Sequence, residues 1–253
     1  MKKLISLTLA SFCLLSVVST ALAAGQTYDL PDLNMMIDAP EGWSVFSRYY
    51  VKEDDPNLEL MGMNSKELAD RFKNDKIYLY MIDKDAAAQI IMTMTEDEIS
   101  KDIFDMSSVS ESEIRSEMES LIETQEMNDE IKYLDYSIYK HKQATFMVLS
   151  LTQQINGITA YGNQYVTVIN GNDIQIVLFS YGSEISDSLA ETIQDTVDSI
   201  TFTEVRQKKT RLSAFFSIAM NIAAVFGIVW LIAFLINRRK KPKLYRPFPG
   251  RQL

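Results

Sequence analysis

The chain has 253 residues and a formal net charge of −9, and its only cysteine, Cys13, lies in an apolar N-terminal segment. Residues 24–205 contain all 34 acidic residues but only 12 of the 25 basic ones, so this part carries a formal charge of −22. Such acidity excludes nucleic acid and anionic lipid headgroups as ligands, and a domain without cysteine has neither disulfides nor thiolate chemistry.

The N-terminus has the three parts of a secretory signal peptide. A basic start, MKK, precedes the apolar run LISLTLASFCLLSVVST, and Ala21 and Ala23 supply the small side chains that signal peptidase requires. We expect cleavage after Ala23 or Ala24. Residues 1–23 are therefore predicted to be a signal peptide, and residues 24–205 an exported acidic domain.

The first half of this domain has the pattern of short strands interrupted by a helix. NMMIDAP and SVFSRYYV are typical of strands on either side of the turn EGW, and KIYLYMID and AAAQIIMTMT are typical of two more. Between these pairs, Asn64 and Glu67 have the spacing of a capping box, and Leu68 and Phe72 share one helical face. The pattern predicts a short helix after Asn64.

A longer helix is predicted in the middle of the domain. Ser110 and Glu113 repeat the capping-box spacing, and Ile114, Met118 and Leu121 fall at positions i, i+4 and i+7. One apolar stripe therefore faces the core, while the intervening glutamates face solvent.

Two Asn-Gly pairs predict a three-stranded meander in the second half. Asn156-Gly157 joins ATFMVLSLTQQI to ITAYGNQYVTVI, and Asn170-Gly171 joins the latter to DIQIVLFSY. Asn-Gly supplies the positive φ angles of the type I′ turns that connect antiparallel strands. SDSLAETIQDTVDSI then predicts a closing helix, and SITFTE a last strand.

The predicted fold class is α+β, an antiparallel sheet with packed helices. The opening strand followed by Pro40-x-Gly42-Trp43, the helices between antiparallel strands, and the closing ETIQDTVDSITF resemble the PsbP-like superfamily over roughly residues 28–204. That superfamily includes the extrinsic oxygen-evolving protein of photosystem II, the yeast Ran-release factor and several bacterial lipoproteins. The resemblance implies a fold whose functions are mostly binding, and it assigns no functional residue.

Residues 212–236 form an uncharged stretch of 25 residues, which at about 1.5 Å per residue can cross a hydrocarbon core of roughly 30 Å. Seven basic residues follow this stretch and four precede it, so the positive-inside rule places the tail in the cytoplasm. We therefore predict a basic juxtamembrane tether at residues 206–211, a single transmembrane helix at 212–236 and a basic cytoplasmic tail at 237–253.

The predicted span has two faces that favour contact with another helix. Ala219, Ala223 and Gly227 repeat every four residues and form a face of small side chains. Ser217 and Asn221 lie on roughly the opposite face, where an amide near the middle of the bilayer favours a hydrogen-bonded neighbour. A plain membrane anchor is the alternative, because Ala and Gly are common in spans.

Few side chains suit catalysis. The single histidine, His141, is expected to be exposed at a strand end, where Lys140 and Lys142 disfavour its protonation. Neither a Ser-His-Asp triad nor a histidine-rich metal site follows from one histidine, and no calcium-hand, zinc or phosphate-loop motif is present, so we expect no cofactor. Weak calcium binding at the acidic stretches EDDP (53–56) and TEDE (95–98) stays an open alternative.

These features predict a bacterial single-pass membrane protein whose exported N-terminal domain binds a protein or ligand near the cell membrane and catalyses no reaction. The first alternative is an accessory subunit of a membrane complex that assembles through the transmembrane helix. A less favoured alternative is an envelope hydrolase that uses carboxylates, which needs two acidic side chains in one pocket. Nucleic acid is not expected as a partner.

Overall fold

The structure is a computed structural model, and it describes residues 25–49, 51, 58, 64–124, 131–155 and 157–206. These residues form two antiparallel sheets and four α-helices, so the mixed composition of antiparallel sheet and packed helices is as predicted. The division of the strands into two separate sheets is a finding of the structure that the sequence does not indicate.

The smaller sheet has three strands in the order β1-β2-β10. Its strands are β1 (Thr27–Leu30), β2 (Met35–Asp38) and β10 (Thr201–Phe202). The β2 strand is the centre of this sheet, because it pairs with β1 on one side and with the last strand of the domain on the other. The start and the end of the domain are thus hydrogen-bonded together.

The larger sheet has seven antiparallel strands in the order β3-β4-β5-β9-β8-β7-β6. Their bounds are β3 (Ser44–Ser47), β4 (Ile77–Ile82), β5 (Ala88–Thr95), β6 (Ile131–Lys140), β7 (Thr145–Ile155), β8 (Ile158–Ile169) and β9 (Asn172–Tyr181). The predicted meander is confirmed, since Ile155 pairs with Ile158 and Ile169 with Asn172. The β6 strand extends the meander and is not among the predicted strands.

The four helices are α1 (Ser65–Asn74), α2 (Glu98–Ile103), α3 (Glu111–Thr124) and α4 (Asp187–Asp198). The predicted capping box of α1 is present, because the Glu67 amide donates to Asn64 Oδ1 at 2.9 Å and the Asn64 amide donates to Glu67 Oε2 at 3.2 Å. Ser110 and Glu113 make the corresponding pair of bonds before α3. Local capping thus fixes where both helices begin.

Strand alternation gives the larger sheet two buried faces. The helix face, which includes Ile91, Val166 and Phe179, packs against α1, α2 and α3. The small-sheet face, which includes Ile90 and Ile176, packs against the smaller sheet and α4. The domain therefore has a helical layer, a central sheet, and a second layer made of the smaller sheet and α4.

The predicted membrane segments lie outside the described residues. These are the signal peptide at 1–23, the span at 212–236 with its proposed contact residues Ala219, Ala223, Gly227, Ser217 and Asn221, and the tail at 237–253. Of the 206–211 tether, only Arg206 is described. Within the described ranges, no helix combines the length and the apolar character needed to cross a membrane.

Candidate functional site

A cleft of about 310 Å³ opens between α4 and the segment that connects β2 to β3. Three acidic residues line it: Asp38 is the last residue of β2, Glu41 lies in the connecting segment and Asp195 lies on the helix. The remaining lining includes Trp43, Thr192, Thr196 and Ser199. These residues come from two stretches about 150 positions apart, which the closure of the smaller sheet makes neighbours.

The helical wall of the cleft follows from the amphipathic pattern of α4. Ser186 caps the helix by accepting the Leu189 amide hydrogen at 3.3 Å. Ile193 and Val197 are fully buried against the small-sheet face. Ile193 and Val197 are one turn apart and share the buried face of the helix. Polar residues between them, such as Asp195, therefore lie on another face, which lines the cleft.

The opposite wall is hydrogen-bonded to the helix. The Asp38 amide at the end of β2 donates to Ser199 Oγ at 2.9 Å, and the Ser199 hydroxyl donates to the Thr196 carbonyl at 2.6 Å. The Thr27 hydroxyl donates to Asp38 Oδ1 at 2.5 Å. These bonds fix the position of one cleft carboxylate relative to α4.

Two glycines allow the backbone to follow the cleft. A Cβ atom on Gly25 would overlap the Ala39 carbonyl oxygen, so no other residue fits there without moving the backbone. Gly42 has a φ of +76°, in the left-handed region that favours glycine, and it turns the chain so that Trp43 reaches the cleft. The predicted turn at Glu41-Gly42-Trp43 is therefore confirmed.

The cleft concentrates negative charge. Among the described residues, ion pairs involve Glu96, Glu98, Glu111 and Glu204, and none of them includes a carboxylate of the cleft. Carboxylates in a concave surface focus the electrostatic potential and raise the local concentration of cations. The face of an indole such as that of Trp43 also attracts cations. The arrangement suits an ammonium or guanidinium group.

The cleft offers little other chemistry. Among the described residues that line it, none is a histidine or carries a basic side chain. Across the described ranges, no group of three or more His, Cys, Asp or Glu residues has a geometry that could hold a metal ion. Its polar side chains include carboxylates and hydroxyls, which can accept hydrogen bonds and contact cationic groups.

The structure corrects the prediction for His141, which is buried and not exposed. The residue is 9% exposed, and its ring packs edge-on against Phe146 with the ring centroids 6.1 Å apart. Its Nδ1 accepts the Gln143 amide hydrogen at 3.2 Å. Burial lowers the pKa of His141 against an opposing effect of the Asp198 backbone carbonyl, and Lys142 adds to the lowering. The pKa of His141 is therefore lowered, as expected, but burial contributes more to this than the neighbouring lysines do.

Sequence patterns alone do not identify the cleft. They place Trp43 in a turn and the polar positions of the closing helix on its solvent face. The signal present in the sequence is a set of acidic residues in two distant stretches: Asp38 and Glu41 precede Trp43, and Asp195 lies on the closing helix. It becomes usable only with the knowledge that the last strand, β10, pairs with β2.

No protein-family profile and no curated protein sequence matches this chain. The chain is similar to three solved structures, among others, at low identity. Cyanobacterial PsbP from Synechocystis has a TM-score of 0.38 and 12% identity, with 73% of this chain and 95% of that chain covered. A protein of Bacteroides thetaiotaomicron has a TM-score of 0.41 and 14% identity, with coverage of 87% and 72%.

The third structure is LpqN of Mycobacterium tuberculosis, described as involved in cell envelope biogenesis. Its TM-score is 0.34 at 12% identity, with 67% of this chain and 83% of that chain covered. The predicted resemblance to PsbP-like proteins is confirmed as a weak resemblance of fold. A resemblance at this level carries nothing about function, which depends on the residues of this chain.

Proposed function

We propose that this chain is a membrane-anchored binding protein of the bacterial envelope, whose exported domain holds a cationic group of a partner protein in the acidic cleft. The observation that supports this best is the placing of three carboxylates, those of Asp38, Glu41 and Asp195, around one concave site beside Trp43. The domain catalyses no reaction in this proposal, and its partner supplies lysine or arginine side chains.

The charge of the domain supports the choice of partner. With a formal charge of −22 over residues 24–205, the domain attracts basic surfaces and repels acidic ones over a distance of about 8–10 Å at physiological salt. This attraction speeds encounter, whereas the cleft supplies the place where one cationic side chain is held. The net charge of the domain therefore speeds encounter with the partner, and the shape of the cleft determines where the cationic side chain binds.

The experiment compares two double substitutions that change the net charge equally. Asp195→Asn with Glu41→Gln removes two carboxylates of the cleft, and Asp102→Asn with Glu123→Gln removes two exposed carboxylates elsewhere. Binding of a short lysine peptide to the full chain in detergent is measured by calorimetry. We expect the cleft variant to bind about fivefold to tenfold more weakly, because an exposed charge pair contributes up to about 1 kcal/mol.

The control variant is expected to bind within about twofold of the unaltered chain, since it changes only the diffuse field. Equal weakening in both variants would show that net charge alone attracts the peptide and would refute a role of the cleft. A peptide of the same length with glutamate in place of lysine is expected not to bind.

A second candidate function is an accessory subunit that assembles through the predicted span. The sequence observations that favour it are the small side chains Ala219, Ala223 and Gly227 on one face and Asn221 on the other. In this case, Asn221→Leu combined with Gly227→Ile abolishes co-purification with other membrane proteins, while the cleft variant leaves it unchanged. The opposite result favours the cleft.

A carboxylate-dependent hydrolase is the third hypothesis. It requires two acidic side chains in one pocket, and the cleft contains Asp38, Glu41 and Asp195. Such an enzyme would lose activity on envelope substrates when Glu41 or Asp195 is replaced by its amide, whereas the binding proposal expects no turnover by any variant.

A further inference from the structure

Asp173 is the acidic side chain that the core encloses most completely among the described residues. It is the second residue of β9 and is 1% exposed. It lies on the helix face, because it alternates in step with Val177 and Phe179. Ionised carboxylates are seldom enclosed in this way without a cationic partner, since transfer from water costs several kcal/mol.

The hydrogen bonds of Asp173 satisfy only one of its oxygens. Oδ2 accepts from Gln175 Nε2 at 3.0 Å and from the Thr95 hydroxyl at 3.4 Å, whereas Oδ1 is buried without a partner among the described residues. The nearest acidic influence is Asp97, which caps α2 and accepts the Ser100 amide hydrogen at 2.7 Å. Burial, and to a smaller extent Asp97, raise the pKa of Asp173 to about 7.

Asp173 is close in sequence to the turn that holds the end of the domain. Asn170, at the turn between β8 and β9, donates from Nδ2 to the Glu204 carbonyl at 2.8 Å. Its Oδ1 accepts the Arg206 amide hydrogen at 2.7 Å. These two bonds, which we call the Asn170 clamp, fix the backbone at the point where the predicted tether begins.

The same turn is attached to α2. The Gly171 amide donates to the Phe104 carbonyl at 2.9 Å, and a Cβ on Gly171 would lie 3.6 Å from the Lys101 Cα. The charged groups around this end of the hairpin are Asp97, Lys101 with its partners Glu96 and Glu98, and the paired Glu204 and Arg206. Across the described ranges, none of these ion pairs includes the Asp173 carboxylate.

We propose that Asp173 is a proton-binding site that controls how firmly the Asn170 clamp holds the start of the tether. When Asp173 is protonated, the end of the β8–β9 hairpin stays closed against α2. When Asp173 loses its proton, the enclosed charge is stabilised by water, which reaches it when the end of the hairpin opens. Opening there separates the turn from α2 and releases Glu204 and Arg206.

The direction of the effect follows from linkage. In the open hairpin, Asp173 is hydrated and its pKa is near the ordinary value of 3.8, whereas in the closed hairpin it keeps its proton up to about pH 7. Closing of the hairpin therefore binds a proton at pH values between these two pKa values. The clamp consequently weakens as the pH rises through this interval, and its strength does not change further at higher pH. Because this turn carries both bonds of the Asn170 clamp, it is the segment whose opening the proposal couples to the proton.

The inference rests on the proposed function in one respect, that the domain is exported and so meets the external pH. An acidic exterior then keeps the backbone held at Glu204 and Arg206, and a neutral or alkaline exterior releases it. The test needs no partner and no peptide, so its failure is distinguishable from failure of the cleft to bind cations.

Hydrogen exchange of the full chain in detergent provides the test, at about pH 5 and about pH 8.5 with labelling times corrected for the intrinsic rates. The Arg206 amide reports the clamp, and the Thr203 amide, which donates to the Asn34 carbonyl at 2.8 Å, is an internal reference. We expect protection of Arg206 to be about tenfold lower at the higher pH, equivalent to about one pKa unit of coupling, with a smaller change at Thr203.

Three variants complete the design. Asp173→Asn cannot lose a proton and is expected to keep Arg206 protected at both pH values. Asn170→Ala is expected to leave it unprotected at both, and Asp102→Asn, an exposed carboxylate on α2, to behave as the unaltered chain. Should Asp173→Asn fail to fold, infrared spectroscopy of the unaltered chain replaces it, with the carbonyl band of a buried protonated acid disappearing as the clamp loosens.

The proposal is overturned if Arg206 protection does not change with pH, or if Asp173→Asn changes with pH as the unaltered chain does. It is also overturned if the infrared spectrum contains no band from a protonated carboxylic acid below neutral pH, because Asp173 would then be ionised in the closed hairpin.

Discussion

The helix face and the small-sheet face of the larger sheet are both closed to solvent, yet they enclose different kinds of side chain. On the small-sheet face, the central strands present Ile90, Met92, Ile174, Ile176 and Leu178. On the helix face, the same strands and their neighbours present Gln89, Thr93, Gln153, Gln164, Asp173 and Gln175, all buried. The helix face therefore encloses amides and a carboxylate among its apolar side chains, whereas the small-sheet face encloses hydroxyls such as those of Thr167 and Ser180.

The polar side chains of the helix face are partly bonded to one another. Gln164 Nε2 donates to Gln175 Oε1 at 3.1 Å, and Gln175 donates in turn to Asp173. Gln89 joins Tyr80 to Tyr181 in a second chain. One oxygen each of Gln153, Gln164 and Asp173 nevertheless has no hydrogen-bond partner within the part of the chain that the structure describes. Incomplete networks of this kind contribute little net stability, so each face is stabilised mainly by its buried apolar side chains.

The largest expected effect comes from placing an amide on the small-sheet face. Ile176→Gln is expected to lower the free energy of unfolding by about 4 kcal/mol, because it removes buried hydrocarbon and encloses an amide without a partner. Gln164→Leu on the helix face is expected to cost only about 1 kcal/mol. Urea denaturation measures both, and similar losses would mean that the two faces do not differ in this respect.

The next largest effect is expected from replacing the buried carboxylate of Asp173 on the helix face. Because the pKa of Asp173 rises from 3.8 in the unfolded chain to about 7 in the folded one, stability falls as pH rises through this window and is flat above it. Asp173→Asn is therefore expected to stabilise the domain by about 2 kcal/mol above pH 7 and to change little near pH 4. Thermal unfolding at several pH values provides the measurement. An equal shift of the unfolding temperature at every pH would contradict this prediction.

The turn between β8 and β9 has a smaller expected effect. Asn170→Ala removes two hydrogen bonds to the backbone and places alanine at a φ of +55°, and it is expected to cost about 1–2 kcal/mol. Asn170→Gly removes the same bonds without the unfavourable φ. If both variants unfold at the same urea concentration, the bonds account for the loss and the backbone angle does not.

The smallest effect is expected at the surface of the helical layer. Lys140 Nζ lies 3.1 Å from Glu111 Oε1, and both side chains are about half exposed, so solvent screens their attraction. Glu111→Gln is expected to change the unfolding free energy by less than about 0.5 kcal/mol. A larger loss would indicate that this ion pair holds α3 against β6 and that the helix face depends on surface charge.

Strong local signals make individual turns and helix starts of the domain predictable. The hairpin expected at Asn170-Gly171 is confirmed, as is the start of α1 expected from the spacing of Asn64 and Glu67. These features depend on residues a few positions apart. The β6 strand escapes prediction because IKYLDYSIYK mixes polar and apolar residues around an irregularity between Tyr133 and Asp135.

Features that depend on distant contacts are not predictable in this way. In DIQIV, the alternation of Asp173 and Gln175 with isoleucines is typical of a strand with one face in water, yet helices cover that face. His141 likewise has charged neighbours in sequence and a buried ring in the structure. The cleft requires the pairing of the first and last parts of the domain, for which no local pattern exists.

The position of Gly25 has a practical consequence for anyone who labels this protein. Because Gly25 lines the cleft and contacts the Ala39 backbone, a purification tag or fluorescent fusion attached just before it begins at the mouth of the cleft. Such an attachment would compete with any ligand and make a functional protein look inert. The turn between β4 and β5, at residues 83–87, does not line the cleft and is the safer place for a label.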